Sequence, residues 1–181
     1  MGQKFPALTA TLTSFIAEQK IFFVSTAPIE GRINLSPKGM ESFKTLGPNQ
    51  ALWLNVTGSS NETAAHLLES NRMTVMFCAF EGKPRILRLY GTARAIHPRD
   101  KEWAELLEHF PGQIAPRQIF LFDFDLVQSS CGMSVPFYEY QGEREELNRW
   151  ATKKGEQGIH DYWEKSNSLS IDGKKTGIFE D

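Results

Sequence analysis

Residues 32–80 constrain the fold more than any other stretch, because strand-like and helical patterns follow one another there without a linker. Strand-like runs occupy residues 32–36, 50–56 and 72–80, and a helical pattern occupies residues 64–69. Pro37 cannot donate to a sheet, so we expect the first strand to bulge or end there. Polar side chains gather at that strand end and before the helix. We therefore expect two neighbouring polar clusters that could hold the two ends of one flat-ringed, phosphorylated ligand.

The flanking segments add further strands and helices. Strands are predicted at residues 21–26, 86–96 and 117–127, and helices at residues 6–20, 98–110, 143–154 and 157–165. Gly155 should separate the last two helices, and Gly91 should mark a bulge or a close backbone approach. The sequence thus predicts a mainly β fold of six strands with flanking helices, followed by a Gly-, Ser- and Lys-rich tail at 167–181 that is a candidate for a mobile segment.

Composition excludes several classes of protein. The 181 residues carry a formal net charge of −2, so nothing favours a nucleic-acid or anionic-membrane surface. Residues 1–20 lack the apolar core of a signal peptide, and no run reaches transmembrane length, so we expect a cytoplasmic protein without membrane contact.

Cysteine and aspartate residues offer no metal site in the sequence. Cys78 and Cys131 are isolated and cannot form a disulfide framework or a metal knuckle. Asp123 and Asp125 would share one face of a strand, with no further ligand nearby. We expect that strand face to be solvated and no metal to be bound.

Residues 58–63 have the pattern of a capped helix start. Ser59 and Glu62 have the spacing of a capping box, which predicts Ser59 as the cap. A helix start offers free N–H groups and a partial positive charge, both of which favour an anion. The small polar residues around it would let a phosphate approach the backbone. The pattern fits either a phosphate site or a well-capped helix with no ligand.

Four other side chains are candidates for chemistry. Lys38 could pair with a phosphate, lie at an electron-rich ring edge, or be a solvated surface lysine. Arg88 lies in an apolar strand and needs either an anionic ligand or an internal carboxylate. His66 is expected to be a packed or hydrogen-bonded histidine. Cys131 follows Ser129–Ser130 in a loop with no histidine close in sequence to activate it, so the sequence indicates no nucleophile.

As an ordered set, four segments resemble the pyridoxamine 5′-phosphate oxidase-like FMN-binding split-barrel proteins. They are RINLSPKG (32–39), GSSNETAAHL (58–67), RMTVMF (72–77) and RILRLYGTA (85–93). A fifth, SCGMSVP (130–136), is similar to a subgroup of that family other than the oxidase itself. The resemblance implies a six-stranded antiparallel split β-barrel in residues 1–141. Residues 142–181 would form a helical extension packed on the barrel or on a dimer partner.

The resemblance also implies a cofactor and a set of contacts. FMN would lie at the interface of a homodimer, with Asn34, Leu35, Ser36 and Lys38 lining the isoalloxazine ring. Asn55 and Val56 would touch the ring or the ribityl chain. Ser60, Asn61 and Thr63 would bind the phosphate, and Arg88 would be the cationic support. No catalytic residue is implied for this chain.

Two departures from the oxidase limit what the resemblance implies. Ser60–Asn61 replaces an Arg–Lys pair at the phosphate, next to the acidic Glu62, and the Arg-Leu-x-Pro motif of the oxidase substrate site is absent. Because the substrate motif of the oxidase is absent, the resemblance does not give the substrate. We therefore expect an FMN-dependent oxidoreductase acting on an unknown small-molecule substrate. The alternative is a non-catalytic binding or carrier protein for flavin, deazaflavin or haem. A nucleic-acid-binding barrel is disfavoured by the slight acidity.

Overall fold

The computed structural model describes residues 2–179, which fold around one curled antiparallel sheet. The strands are β1 (Gln3–Phe5), β2 (Phe22–Thr26), β3 (Asn34–Lys38), β4 (Phe43–Thr45), β5 (Gln50–Val56), β6 (Arg72–Cys78), β7 (Ile86–Ile96) and β8 (Pro116–Ser130). The helices are α1 (Ala10–Glu18), α2 (Glu62–Glu69), α3 (Trp103–Leu107) and α4 (Glu146–Ser166). The strand order is β3-β2-β6-β7-β8-β5-β4, and β1 pairs with β8.

The predicted class, a mainly β fold built on an antiparallel sheet with flanking helices, is confirmed, but the strand count is not. The described residues form an eight-stranded sheet rather than a six-stranded one. The additional strands, β1 and β4, have three residues each, too few to show a period of two in the sequence. Both add to the rim of the predicted sheet, so they change its edges and leave its core strands as predicted.

Aromatic and aliphatic side chains fill the inside of the curl. Trp53 of β5 stacks on Phe120 of β8 with ring centroids 4.7 Å apart, and both are almost completely buried. Helix α1 covers this core with Leu12, Phe15 and Ile16. The alternation of buried and half-buried positions along the strands therefore distinguishes an inner face from an outer face.

The edge strand β3 corrects one prediction. Pro37 does not end the strand, since it pairs with Phe23 and β3 continues to Lys38. Proline is tolerated here because β3 has a neighbour on one side only, where its missing N–H need not break a ladder. The sheet path ends at β3 and at β4, so in the described part of the chain the curl remains open between these two edges.

Gly91 lies where the prediction of a bulge or close approach placed it. The pairing of β7 with β8 shifts register between Tyr90 and Gly91. A Cβ atom on Gly91 would lie 2.0 Å from the carbonyl oxygen of Asp123, far closer than any real contact. Only glycine therefore allows β8 to cross β7 this closely.

The helices begin and end differently from their predicted bounds. Helix α1 starts at Ala10 because the Thr9 hydroxyl accepts from the amide of Leu12. The predicted helix 98–110 contains only the five residues of α3, flanked by turns. Gly155 has φ 66° and ψ 174° inside α4, which confirms the predicted break. Within residues 2–179, no helix has the length and apolarity required to cross a membrane.

The segment after α4 is packed, contrary to the prediction of a mobile tail. Asn167 and Thr176 are almost fully buried, and Leu169 forms a β-bridge with Lys175. Hydrogen bonds to α2 and to the turn before it hold this segment in place. Residues 180 and 181 of the predicted tail lie outside the described residues. The division into residues 1–141 and 142–181 as separate units stays a prediction.

Candidate functional site

The start of α2 is formed differently from the predicted capping box. The helix begins at Glu62, and Asn61 occupies the cap position without a side-chain cap bond. Ser59 is exposed and lies outside the helix, so its assignment as the cap was wrong. The Glu62 carboxylate instead accepts from the amide of Ile171 at 2.9 Å. The C-terminal segment, which is distant in sequence, supplies the contact that the capping-box pattern assigned locally.

A cavity of about 510 Å³ lies where the start of β3 meets the start of α2, and we call it the α2 cavity. Its lining comprises Arg32, Ile33, Asn34, Ser59, Ser60, Glu62, Ser166, Leu169, Ser170 and Ile171. The Asn34 amide donates to the Thr63 hydroxyl at 3.3 Å, which joins β3 directly to the first turn of α2. The structure therefore joins the start of β3 to the polar residues before α2, whereas the predicted polar cluster at the strand end, Ser36–Lys38, does not line this cavity.

Lys38, at the other end of β3, faces the inside of the curl. Its Nζ lies 5.2 Å from the centroid of the Trp53 ring. Burial, and secondarily the charge of Arg117, lowers the pKa of Lys38 to about 8. Ser36 and Asn34 share this inner side, whereas Leu35 lies on the opposite, exposed side. The four residues predicted to line a flavin ring are thus divided between the two faces of β3.

A second cavity, of about 360 Å³, begins next to Lys38 at Gly39. We call it the α1 cavity. Phe22, Phe43 and Phe77 line it together with residues of α1 and polar groups that include Lys20, Glu41, His109 and Glu143. The five residues of β3 span roughly 13 Å, from Asn34, which lines the α2 cavity, to Lys38, which precedes Gly39 of the α1 cavity.

Asn55 and Val56 lie at the end of β5 but face different surroundings. Asn55 is buried and its amide donates to Gln118 Oε1 at 3.4 Å, on the inner side of the sheet. Val56 lies on the other face of β5, like Leu54 two residues before it, and packs against a separate apolar cluster that contains Leu54 and Ile119. Only Asn55 of this pair faces the same interior as Lys38.

Arg88 lies apart from the turn that precedes α2. Its neighbours Leu87 and Leu89 are buried in the core, so Arg88 points from the outer face of β7. Its Nη1 donates to the Ser130 hydroxyl at 3.2 Å, and it lines neither cavity. Within one chain the sheet separates Arg88 from Ser60, Asn61 and Thr63, and its role as phosphate support stays a prediction.

Arg117, at the start of β8, is the buried cation that the sequence analysis missed. It is 2% exposed and donates to neutral oxygens: Gln118 Oε1 at 2.9 Å, Asn167 Oδ1 at 2.6 Å and the Gly58 carbonyl at 3.3 Å. These bonds use Nε and Nη1. Burial lowers its pKa to about 10, so it stays charged at neutral pH. The sequence feature that could have indicated this buried cation is an arginine just before the apolar run 119–122.

Three buried polar atoms near Arg117 and the start of α2 lack partners. Gln118 Nε2, Asn61 Oδ1 and Glu62 Oε2 are buried without a hydrogen bond to any described residue. Unsatisfied buried polar atoms are costly and uncommon, and they indicate a water or ligand at the position. Gln118, Lys38 and Arg117 form a polar interior with two cations, neither of them in a salt bridge with a described carboxylate. This arrangement suits an anionic, hydrogen-bonding ligand.

His66 and the thiols do not contribute reactive groups to this site. Nδ1 of His66 lies 3.0 Å from the Thr26 hydroxyl, and burial lowers the pKa of His66, which confirms its prediction as a hydrogen-bonded core histidine. Cys131 is exposed, and burial raises the pKa of Cys78. Across residues 2–179, no three His, Cys, Asp or Glu side chains are grouped as metal ligands would be.

An open, curled antiparallel sheet with flanking helices is the architecture of a split-barrel protein. The sequence profile of the family described as Pyridoxamine 5'-phosphate oxidase matches residues 8–131, and this chain belongs to that family. The pyridoxamine 5'-phosphate oxidase family protein ustO of Aspergillus flavus is 34% identical over 187 residues, which cover 93% of this chain and 75% of ustO.

Two solved structures show the same fold at low sequence identity. HupZ from Group A Streptococcus has a TM-score of 0.52 and 17% identity, over 66% of this chain and 91% of HupZ. HutZ, the heme storage protein from Vibrio cholerae, has a TM-score of 0.50 and 17% identity, over 70% of this chain and 97% of HutZ. These likenesses concern the fold alone.

Proposed function

We propose that this protein is a flavin-dependent oxidoreductase that binds FMN along β3 and acts on a small-molecule substrate. One observation carries the proposal: β3 connects a cavity at a helix start to the buried Lys38, in an interior that holds two cations. Membership of the pyridoxamine 5'-phosphate oxidase family supports it. The site suits a ligand with an anionic end and a flat ring.

The residues at each end of β3 fit the two ends of FMN. At the α2 cavity, the free amides of the helix start and the hydroxyl of Ser60 would hold the phosphate. At the other end, Lys38 would stabilise negative charge on the pyrimidine edge of the ring. Bound flavin supplies a hydride-accepting ring. Asn34 and Asn55 would fix its orientation through hydrogen bonds.

The substrate would enter through the α1 cavity, because this cavity adjoins the Lys38 end of β3. Its phenylalanine side chains offer an apolar surface, and Lys20, Glu41, His109 and Glu143 offer polar contacts at the rim. A non-catalytic carrier of flavin, deazaflavin or haem is the second candidate. The fold shared with a heme storage protein favours it, although that likeness extends to the fold only.

The proposal is tested by titrating the purified chain with FMN and recording its visible absorption and flavin fluorescence. We expect saturable binding of one FMN per chain, bleaching by an anaerobic reductant, and recovery of the oxidised spectrum with an acceptor. Bound flavin that no reductant and acceptor can cycle would indicate the carrier. A chain that takes up no FMN would refute the proposal, and uptake of haem instead would identify the second candidate.

We further propose a homodimer with the cofactor at the subunit interface. Ile33 and Leu35 at β3, and Met133 and Phe137 after β8, are between 66% and 82% exposed. Exposed apolar side chains such as Ile33 and Leu35 on an edge strand are typical of a surface that another protein covers. We propose the cytoplasm as its compartment, with neither nucleic acid nor membrane as a partner.

A Leu35→Asp variant tests the dimer. We expect it to sediment as a monomer and to bind FMN at least about tenfold more weakly, because the charge would be desolvated in the interface. Leu68→Asp is the matched control, since Leu68 on α2 is 63% exposed and lines neither cavity. A wild-type chain that sediments as a monomer at micromolar concentration would contradict the proposal.

A further inference from the structure

Three phenylalanine rings form an apolar floor in the α1 cavity. The centroid of the Phe22 ring lies 5.3 Å from that of Phe43 and 5.8 Å from that of Phe77, and the last two are 5.2 Å apart. Because Phe22 and Phe77 are almost completely buried, this floor is preformed. The Phe22 ring also lies 6.4 Å from the Trp53 ring, over which Lys38 lies. The floor therefore suits an aromatic ligand and adjoins the position proposed for the flavin.

Tyr140, in the segment between β8 and α4, brings three charged side chains together at the mouth of this cavity. Its hydroxyl donates to Glu143 Oε1 at 2.9 Å, and the Lys20 ammonium group lies 5.7 Å from the centroid of its ring. The hydrogen bond to Glu143 chiefly raises the pKa of Tyr140, and the charge of Glu41 contributes, so the Glu41 carboxylate also lies near this ring. Lys20, Glu41 and Glu143 all line the cavity.

Contacts with the residues after β6 hold Tyr140 in this position. The amide of Tyr140 donates to Glu81 Oε1 at 3.2 Å, and the amide of Tyr138 donates to the Phe80 carbonyl at 3.1 Å. The rings of Tyr138 and Phe80 also pack, with centroids 5.6 Å apart. The charged groups around Tyr140 are therefore gathered on a fixed side chain.

Glu41 is held in a conformation that glutamate rarely adopts. Met40 has φ 60° and Glu41 has φ 52°, both in the left-handed region. The amide of Ser42 donates to the Gly39 carbonyl at 3.2 Å, and the Gln113 side chain donates to the Met40 carbonyl at 2.7 Å, so the turn is fixed from two sides. Backbone strain that the surroundings enforce is characteristic of functional positions. The strain here places Glu41 at the cavity.

The charged side chains of the cavity do not pair with one another. Lys20, Glu41 and Glu143 form no salt bridge with a described residue, and neither does Lys44, which also lines the cavity. Two lysines balance two glutamates, so the cavity favours neither an anion nor a cation alone. A ligand that carries an ammonium group and a carboxylate would place each of them next to an opposite charge.

We infer that the α1 cavity binds the α-amino acid head group of a small aromatic substrate. Glu41 and Glu143 would accept from its ammonium group, Lys20 would donate to its carboxylate, and its ring would lie on the phenylalanine floor. A volume of about 360 Å³ is near the lower limit for small-molecule sites, so a single-ring amino acid fits this cavity better than a peptide. That this ligand is a substrate rests on the proposed flavin function, whereas its binding can be measured without flavin.

The test is a ligand-observed NMR titration of the full chain with three probes that share a phenyl ring. L-phenylalanine carries both charges, 2-phenylethylamine lacks the carboxylate, and 3-phenylpropanoate lacks the ammonium group. We expect L-phenylalanine to bind at least about tenfold more tightly than either analogue, because each analogue loses a hydrogen bond between charged groups. Equal affinities for the three probes, or no binding of L-phenylalanine at millimolar concentration, would overturn the inference.

Two variants of exposed residues assign the charges of the ligand to the charges of the cavity. Lys20→Met should weaken L-phenylalanine and 3-phenylpropanoate about tenfold without weakening 2-phenylethylamine. Glu143→Gln should weaken L-phenylalanine and 2-phenylethylamine without weakening 3-phenylpropanoate. Glu18→Gln is the matched control, since Glu18 is an exposed carboxylate on α1 that lines neither cavity, and it should leave all three affinities unchanged. A variant of Lys20 or Glu143 that affects all three probes equally would contradict the assignment.

Glu41→Asn separates the charge of Glu41 from its backbone conformation. Asparagine adopts the left-handed region more readily than glutamate, so the melting temperature should rise by about 2 °C. The affinity for L-phenylalanine should fall at the same time, because the ammonium group loses one of its two carboxylates. A variant that keeps the affinity of the wild type would overturn the part assigned to Glu41.

Repeating the titration with FMN present separates this inference from the proposed function. If the chain takes up no FMN but the probes follow the expected pattern, the proposed function fails and the amino-acid site stands. If FMN binds and can be cycled but the probes are not discriminated, the inference fails and the proposed function stands. If both hold, L-phenylalanine should perturb the visible spectrum of bound FMN, because the floor of the cavity adjoins Trp53 and Lys38.

Discussion

A Gly91→Ala variant should lose about 3 kcal/mol or more of folding stability, the upper range for overpacking. The added Cβ would lie 2.0 Å from the Asp123 carbonyl oxygen and 2.5 Å from the Phe124 Cα. Both are backbone atoms, so no side-chain rotation relieves the overlap. The two longest strands, β7 and β8, would have to separate at the centre of the sheet.

Urea unfolding followed by tryptophan fluorescence measures this loss. Thr92→Ala is the control, because Thr92 is the exposed neighbour on the same strand and should cost at most about 1 kcal/mol. An alanine variant of Gly91 within about 0.5 kcal/mol of wild type would show that the strands do not approach here as described.

A Lys38→Met variant should be more stable than wild type by about 2 kcal/mol at pH 7, while it loses flavin affinity. The pKa of Lys38 is lowered in the folded protein from 10.5 to about 8, chiefly by burial. The unfolded chain therefore binds more protons between these pH values, so wild-type stability should rise with pH across that window. Methionine removes the free-energy cost of burying the ammonium group. The lost contact with the Trp53 ring reduces this gain in stability by about 1 kcal/mol.

The advantage of Lys38→Met should accordingly shrink as the pH approaches 10.5, above which lysine becomes neutral in both states. Unfolding at several pH values measures the difference between variant and wild type, which cancels the titration of other groups. Lys101→Met, on an exposed side chain, should change stability by less than about 0.5 kcal/mol throughout. A constant advantage across this window would contradict a titration of Lys38.

The strands that form the core could be predicted because their patterns are local. The strands 50–56 and 86–96 have the predicted bounds, and Gly91 and Gly155 disrupt their elements as expected. A period of two or a glycine requirement is visible within a few residues. The three-residue strands β1 and β4 are too short to carry such a pattern, and only their pairing partners define them.

The site was predictable in outline but not in its chemistry. The chain pattern placed Asn34 and Thr63 on elements that do meet. The capping box failed at Ser59 because the C-terminal segment, not the local sequence, provides the partner of Glu62. Arg117 was missed for the same reason, since its partners Gly58 and Asn167 lie 59 and 50 residues away. Hydrogen bonds between residues that are far apart in the sequence produce no periodic pattern from which they could be predicted.

The contacts of Asn167 also affect the order in which the parts of the molecule can fold during synthesis. The barrel strands end at Ser130, so a nascent chain on the ribosome can complete the sheet well before the turn at Gly58 meets its C-terminal partners. Such a chain would pass through an intermediate with a formed sheet and an incomplete α2 cavity. Translation products that end before residue 166 would then have the sheet but lack the residues that close this cavity on its C-terminal side.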